Sequence, residues 1–420
     1  MTNSGVNKPA MIIATVVEQH AEEAAVLWHL RAAAVGQPHY LAWELSKLDH
    51  RLDAHLDGLT VAGDDGWQFA LEQLDAHAEP GETFACAYLA FAGGNQARIA
   101  RVLQSAAVPA NARGVISALG WLPDDRQAED YVLQLGLSDD PLARRIGVAA
   151  GAIRRLPAGP VLQKALLDKD AGVAARAARA VGELGAANLA GPLRPMLAAN
   201  DADTRFWAAW SLALMSGESS ALGELRTVAL TEKTYRGRAV DLVARRAEPR
   251  STVKWLPTLE MTPGGTRLVI QGLRAIGDPD AIPRLLEWMK QPPLARVASE
   301  AFADITGAHI SYDKLDADPP EGFQAGPTED PADDDVALDP DGNLYWPDPA
   351  KCSAWFSKNQ SRFKKGERYL CGKPMSPENL RDILKTGYQR QRIAAALELA
   401  IREPGRPLYE VRAPGFRQKP

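Results

Sequence analysis

The chain has 420 residues, 46% of them hydrophobic and 24% charged, with a formal net charge of −5. Those proportions exclude a wholly disordered chain and leave ample material for a core. The charge balance argues against an overall polyanion binder. The count of three cysteines, Cys86, Cys352 and Cys371, is odd and lacks any CxxC pair, so a disulfide-stapled secreted fold is not expected. The first residues show no basic-then-apolar leader, and no apolar run suits a bilayer span, so the reading is a cytoplasmic protein.

In chain order, residues 12–34 space Ile13, Val16, Val17, Ala24, Leu27, Trp28 and Leu30 as a helix. Gly36 and Pro38 break it. Leu41, Leu45, Leu48, Leu52 and Leu56 predict a second amphipathic helix, with Gly58 placed to end it. Residues 1–78 therefore read as an N-terminal helical region.

From residue 79 to 310 the chain becomes alanine- and leucine-rich helices punctuated by Gly, Pro and Asp. Three segments align, opening at Asp140, Asp170 and Asp201 with spacings of 30 and 31 residues. Each Asp suits a helix N-cap, where its carboxylate accepts unpaired backbone N–H groups. Leu184-Gly185, Ile276-Gly277 and Thr306-Gly307 suit helix ends, because glycine takes the left-handed exit conformation cheaply. Asp278-Pro279 opens a further helix. One such helix pair cannot bury its apolar face alone, so pairs must stack.

This pattern resembles HEAT repeats of the short bacterial kind related to phycobilin-lyase repeats. The resemblance implies an all-α, HEAT-like α-solenoid, a superhelix of helix pairs, with an N-terminal helical cap and a small C-terminal α-rich module. Arg144 and Arg205 match that family's inward arginine of the first helix, and Ala175 departs from it. A lyase role has no support from any cysteine or pigment-site motif.

Residues 311–345 change character. Ten acids against Lys314 between Asp313 and Asp339 predict an extended, self-repelling linker. Residues 346–420 then form a basic module. Lys351 to Arg392 holds eleven Lys or Arg and three acids. Helices are expected from Pro349, from Ser376-Pro377-Glu378 and over 390–402, and Val411 to Pro414 closes the module. At low ionic strength, residues 313–341 should fold back on basic surfaces of the array or of this module.

Candidate chemistry is sparse. Six of the seven histidines, His20, His29, His39, His50, His55 and His77, lie early without metal-ligand spacing, and read as surface or capping groups. Asp49, Arg51, Asp53 and Asp57 read as a solvated helix face, with Asp57-Gly58 as a possible turn. Gly93-Gly94-Asn95 and Gly264-Gly265 are turn signals rather than phosphate loops. No catalytic residue, cofactor or metal site is expected. Partner contact is expected at Arg144, Arg205, Trp207, Trp210, Arg236, Arg238, Arg245 and Arg246. Trp207 and Trp210 would line a groove or else serve as core. The arginines belong to a stretch, Pro141 to Arg250, with seventeen Lys or Arg against ten acids. That surface suits either an acidic protein face or a nucleic-acid backbone.

Both ends carry a further likeness. His39-Tyr40, Leu48-Asp49, Arg51, His55-Leu-Asp57-Gly58-Leu59, Val61-Ala-Gly63 and Gly66-Trp67 stand at one end. Gly387-Tyr-Gln389-Arg390-Gln391-Arg392, Ala395 to Ala400 and Val411 to Pro414 stand at the other. Together they resemble a proteobacterial HEAT-repeat family of this length, often encoded beside type VI secretion cargo, spike and adaptor genes. The resemblance implies a non-enzymatic adaptor or chaperone-like scaffold that binds a secretion effector, spike or adaptor protein. The alternative is a nucleic-acid-binding protein or a repair enzyme of the HEAT-like DNA glycosylase type, using the basic middle. No membrane partner is expected.

Overall fold

A computed structural model describes residues 12–326 and 337–418. Among the described residues the fold is all-α, a series of helical repeats, with one hairpin of two-residue strands. The chain divides into two compact units that cut across the four sequence segments. Of the described residues, unit 1 combines 12–35 with 43–177 and 412–418, and unit 2 combines 36–42 with 178–326 and 337–411.

Unit 1 opens with α1 (Ala14–Ala34), α2 (Ala42–Val61) and α3 (Asp64–His77). Helix α2 does not stop at Gly58 but continues through it. A Cβ there would come within 2.6 Å of the His20 ring, so the glycine serves close helix packing rather than termination. The repeats follow as α4 (Pro80–Ala92), α5 (Gln96–Ser105), α6 (Ala112–Trp121), α7 (Arg126–Gly136), α8 (Pro141–Ile153), α9 (Pro160–Ala165) and the first half of α10 (Ala171–Glu183). Their core is continuous from Val17 to Ala150. Phe84 sits at its centre, stacked on Trp28 at 5.9 Å and meeting Trp121 edge-on at 5.6 Å.

Unit 2 runs through α11 (Ala190–Met196), α12 (Ala202–Met215), α13 (Ser219–Thr231), α14 (Arg236–Arg246), α15 (Pro249–Trp255), α16 (Gly265–Ile276), α17 (Ile282–Trp288) and α18 (Pro292–Thr306). Helices α12, α14, α16 and α18 pack successively, as first helices of stacked pairs should. After them come α19 (Pro349–Asn359), the hairpin β1 (Tyr369–Leu370) with β2 (Lys373–Pro374), α20 (Pro377–Thr386) and α21 (Gln389–Arg402).

The punctuation residues act as their chemistry requires. Asp140, Asp170 and Asp201 accept from the backbone N–H groups of their helices' first turns. Gly185, Gly277 and Gly307 take φ of +62°, +72° and +74°. These glycines also have a second use. A Cβ at Gly185 would stand 2.3 Å from the Arg406 carbonyl, at Gly277 2.4 Å from that of Tyr369, and at Gly307 2.7 Å from that of Cys371. The chain's later segment thus runs across the helix ends of unit 2. It donates Leu408 N–H to Glu183 O, Tyr369 N–H to Gly277 O and Cys371 N–H to Asp304 O at 2.9, 2.8 and 2.5 Å. Carbonyls at helix C-termini, which lack intrahelical donors, are satisfied this way.

The segment 346–411 therefore packs within the repeats of unit 2, while Arg412 to Gln418 pack in unit 1. The acidic stretch is ordered where it is described. Asp339 pairs with Arg296 at 2.7 Å and Asp341 with Arg267 at 2.6 Å. Glu329, Asp330, Asp333, Asp334 and Asp335 lie outside the described residues.

Candidate partner-binding site

The eight residues expected at a partner surface fall into different environments. Arg144, in the first turn of α8, donates to both carboxylate oxygens of Asp168 at 2.7 and 2.9 Å and to the carbonyls of Ser138 and Asp139. This hydrogen-bonded pair holds the Asp168 carboxyl below its ordinary range. Arg205 repeats the geometry in unit 2. It bonds the Ala199 and Asn200 carbonyls at 2.7 and 2.9 Å and lies 3.4 Å from Glu224.

Arg236 bonds the carbonyls of Ala229 and Pro263 and the Thr262 hydroxyl. Arg267 bonds the Pro293 carbonyl and Asp341. Arg205, Arg236 and Arg267 stand at intervals of 31 residues, and Arg144 lies 61 residues before Arg205, with Ala175 31 residues after Arg144 and 30 before Arg205. Extending the alignment past Asp201 would have found this ladder, because each rung occupies the first turn of its helix.

Trp207 and Trp210 are buried, at 7% and 8% exposure. They meet edge-on at 5.6 Å, and Trp207 also meets Phe206 and Tyr235 edge-on. Arg179 and exposed Arg238 lie 4.5 and 5.5 Å from the Trp207 ring. Both tryptophans are thus core residues, and Trp207 carries a cationic cover.

Arg245 is buried against Asp241 and Glu398. Burial pulls its pKa down, but the two carboxylates more than offset this and raise it. Glu398 is completely buried and also takes Arg368 at 2.5 Å and Arg402 at 3.3 Å. Arg246 is half-buried, beside Gly217.

The histidines are mostly scattered, as expected, with one exception. Helices α1 and α2 bring the Nδ1 atoms of His20 and His55 to 3.0 Å. Among the described residues no group of three metal-capable side chains occurs. Asp49 is not on a solvated face: it is 2% exposed and bound to Arg31 at 2.5 Å. Asp53 accepts from the Trp121 indole at 2.5 Å, and burial raises its carboxyl pKa. Burial pushes the Cys352 thiol up to about 12 and the Cys371 thiol well above its usual value, so neither is poised as a thiolate.

Unit 2 also holds a cavity of about 500 Å³ at the first turns of α14 and α16, closed by α18 and the Pro340-Asp341 peptide. Lys233, Arg236, Arg267, Arg274 and Arg390 line it against two carboxylates, Glu300 and Asp341. Glu300 is shared by Arg274 and Arg390 at 2.8 and 2.9 Å. Lys233 is exposed and has no ion pair among the described residues. Gly264, with φ +68°, turns the chain into α16 beside the cavity. Only Arg236 of this set was expected at a partner surface from the sequence. Arg267, Arg274 and Arg390 span 123 residues of the chain and converge through folding alone.

No family model matches the chain, and no curated protein matches it. Among solved structures, the crystal structure of an engineered protein is similar at 13% identity. The match covers 92% of this chain and 99% of that one, with a TM-score of 0.31. No helix among the described residues is long and apolar enough to cross a membrane.

Proposed function

We propose that this chain is a non-enzymatic, protein-binding scaffold of the cytoplasm, accessory to the loading or assembly of a type VI secretion effector. The observation that carries the binding role is the basic cavity of unit 2, where five cationic side chains meet two carboxylates on a frame of stacked helices. Stacked helical repeats present extended surfaces with little chemistry of their own. The secretion role draws on the likeness of the two end segments.

Binding does not draw on all the basic residues of the array. Arg144, Arg205 and Arg245 are already held by carboxylates and carbonyls of their own unit. A phosphate backbone would have to displace those partners, which disfavours the nucleic-acid alternative.

The test is affinity purification of the tagged full chain from its native host. Recovery of a secretion cargo, spike or adaptor protein is the expected result, and recovery of none overturns the secretion role. A DNA shift assay at low salt accompanies it. Salt-sensitive retardation by the full chain would replace this reading with the nucleic-acid one.

A further inference from the structure

Along the arginine ladder, one rung differs in who supplies its carboxylate. Arg144 takes Asp168 and Arg205 approaches Glu224, both from the repeats themselves. Arg267 takes Asp341, which lies outside the repeats and 74 residues further along the chain.

Asp341 sits in a tight turn. Asp339 accepts the Asp341 N–H on its own carboxylate at 2.9 Å, and its carbonyl takes the Gly342 N–H at 3.1 Å. This is the side-chain-to-backbone turn that Asp forms readily. The second Asp339 oxygen reaches Arg296 at 2.7 Å, and Arg296 is itself covered by the Trp346 ring at 4.6 Å. The turn therefore presents two carboxylates to two arginines.

Beyond those ion pairs, the Leu344 N–H donates to Asp341 O at 2.8 Å and Asn343 Nδ2 to Gln37 Oε1 at 3.0 Å, but apolar burial adds little. Between residues 337 and 346 only Asp341 is buried, and Leu338 and Tyr345 are 82% and 55% exposed. With so few buried apolar groups, the cost of opening lies chiefly in the two ion pairs, and a carboxylate from a partner replaces the one at Arg267. When the turn leaves, the cavity keeps its five cations and only Glu300, which Arg274 and Arg390 already share.

We propose that this cavity is a recognition site for an acidic, aspartate-bearing turn of a protein partner, and that the Asp339–Gly342 turn is its built-in competitor. The site deepens the scaffold reading and rests on it. The seated turn shows the chemistry of the ligand: a carboxylate taken by both terminal Arg267 nitrogens, at 2.6 and 2.8 Å, beside exposed Lys233, which has no ion pair among the described residues and would take a further negative charge. A competitor within the same chain acts at an effective concentration of about millimolar, so it masks a weak ligand in the closed form.

The probe is a labelled synthetic peptide with the sequence of residues 337–343, with its twin carrying Asn for both Asp. Binding to the full chain is followed by fluorescence anisotropy. The D339N/D341N chain should bind the acidic peptide about tenfold or more tighter than the natural chain. Adding Arg267→Gln should abolish that gain, and the Asn peptide should bind neither. Equal binding of both peptides, or no gain in the double variant, overturns the proposal.

Amide exchange on the unaltered chain provides an independent measurement should the double variant fold poorly. Saturating acidic peptide should speed exchange at Gly342 and Leu344, whose N–H groups are held by Asp339 O and Asp341 O. Unchanged exchange there overturns the proposal as well. Peptide binding with no secretion protein recovered would leave the site and remove the secretion role. Recovery of such a protein without peptide binding would do the reverse.

Discussion

Arg31 in unit 1 and Arg245 in unit 2 are both nearly inaccessible, at 6% and 5% exposure, yet they are neutralised differently. Arg31 has its own carboxylate, Asp49, and fills its other donors with the Arg412 and Ala413 carbonyls at 2.8 and 2.7 Å. Asp49 in turn accepts the Gly415 N–H at 2.7 Å. The late residues of the chain thus bring only backbone groups to this station of unit 1. In unit 2 they bring charge: Glu398 serves Arg245, Arg368 and Arg402 together, with Asp241 as a second carboxylate on Arg245 and three carbonyls on Arg368. One carboxylate shared by three guanidiniums is a more exposed dependency than a one-to-one pair.

The sharpest way to break this contrast is Glu398→Gln. The amide keeps the shape but leaves three cations short of a charge, with Arg245 sealed from water and Arg368 and Arg402 partly exposed. Removing one partner of a buried pair costs about 3–5 kcal/mol. Urea unfolding followed by circular dichroism should show a loss of that order. A loss under about 1 kcal/mol would mean that Asp241 and the carbonyls around Arg368 suffice.

Asp49→Asn makes the matching test in unit 1 and should cost less, about 2 kcal/mol, in the range of a single charge-assisted hydrogen bond. The amide oxygen still accepts from Arg31 or Gly415, and the two carbonyls on Arg31 are unaffected. The same unfolding measurement checks it, with amide exchange confined to α1, α2 and the 412–418 segment. A loss as large as that of Glu398→Gln would erase the distinction between the two stations.

The contrast also explains what the sequence could and could not disclose. Local signals survived folding: Asp140, Asp170 and Asp201 cap helices because their partners lie within three residues. Gly185, Gly277 and Gly307 end helices for equally local reasons. Trp207 and Trp210 at three-residue spacing became core. Charge was the misleading signal. Seventeen basic residues in Pro141 to Arg250 suggested an open basic face. Asp241, four residues before Arg245, was a local partner, but Glu398, which completes its neutralisation, and Asp341, which takes Arg267, stand 153 and 74 residues away. No periodicity links such partners, so only folding pairs them. Gly58 failed in the same way, since the reason for a glycine there is the His20 ring on another helix. Arg267 itself was legible, by continuing the 31-residue ladder, but its carboxylate was not.

The smallest effect expected is one of pH, and it belongs to unit 1. Burial lowers the His55 pKa below its ordinary 6.5, and the His20 ring and Arg51 push the same way while Glu23 opposes them. The Nδ1 atoms of His20 and His55 stand 3.0 Å apart, within hydrogen-bond reach. Protonating His55 puts a charge into this partly buried contact, which burial disfavours. The folded state therefore takes up its proton later than the unfolded state as pH falls. The contribution is intact above the unfolded value and declines as pH drops through about 6.5 toward the folded value. The melting temperature of the natural chain should fall between about pH 7 and 5, and His55→Gln should flatten part of that fall. Exchange protection should weaken first in α1 and α2. If the natural chain and His55→Gln lose stability in parallel over this range, the histidine pair contributes nothing to it. Any acid sensitivity would then rest with carboxylates such as Asp168, whose depressed pKa makes it felt only at lower pH.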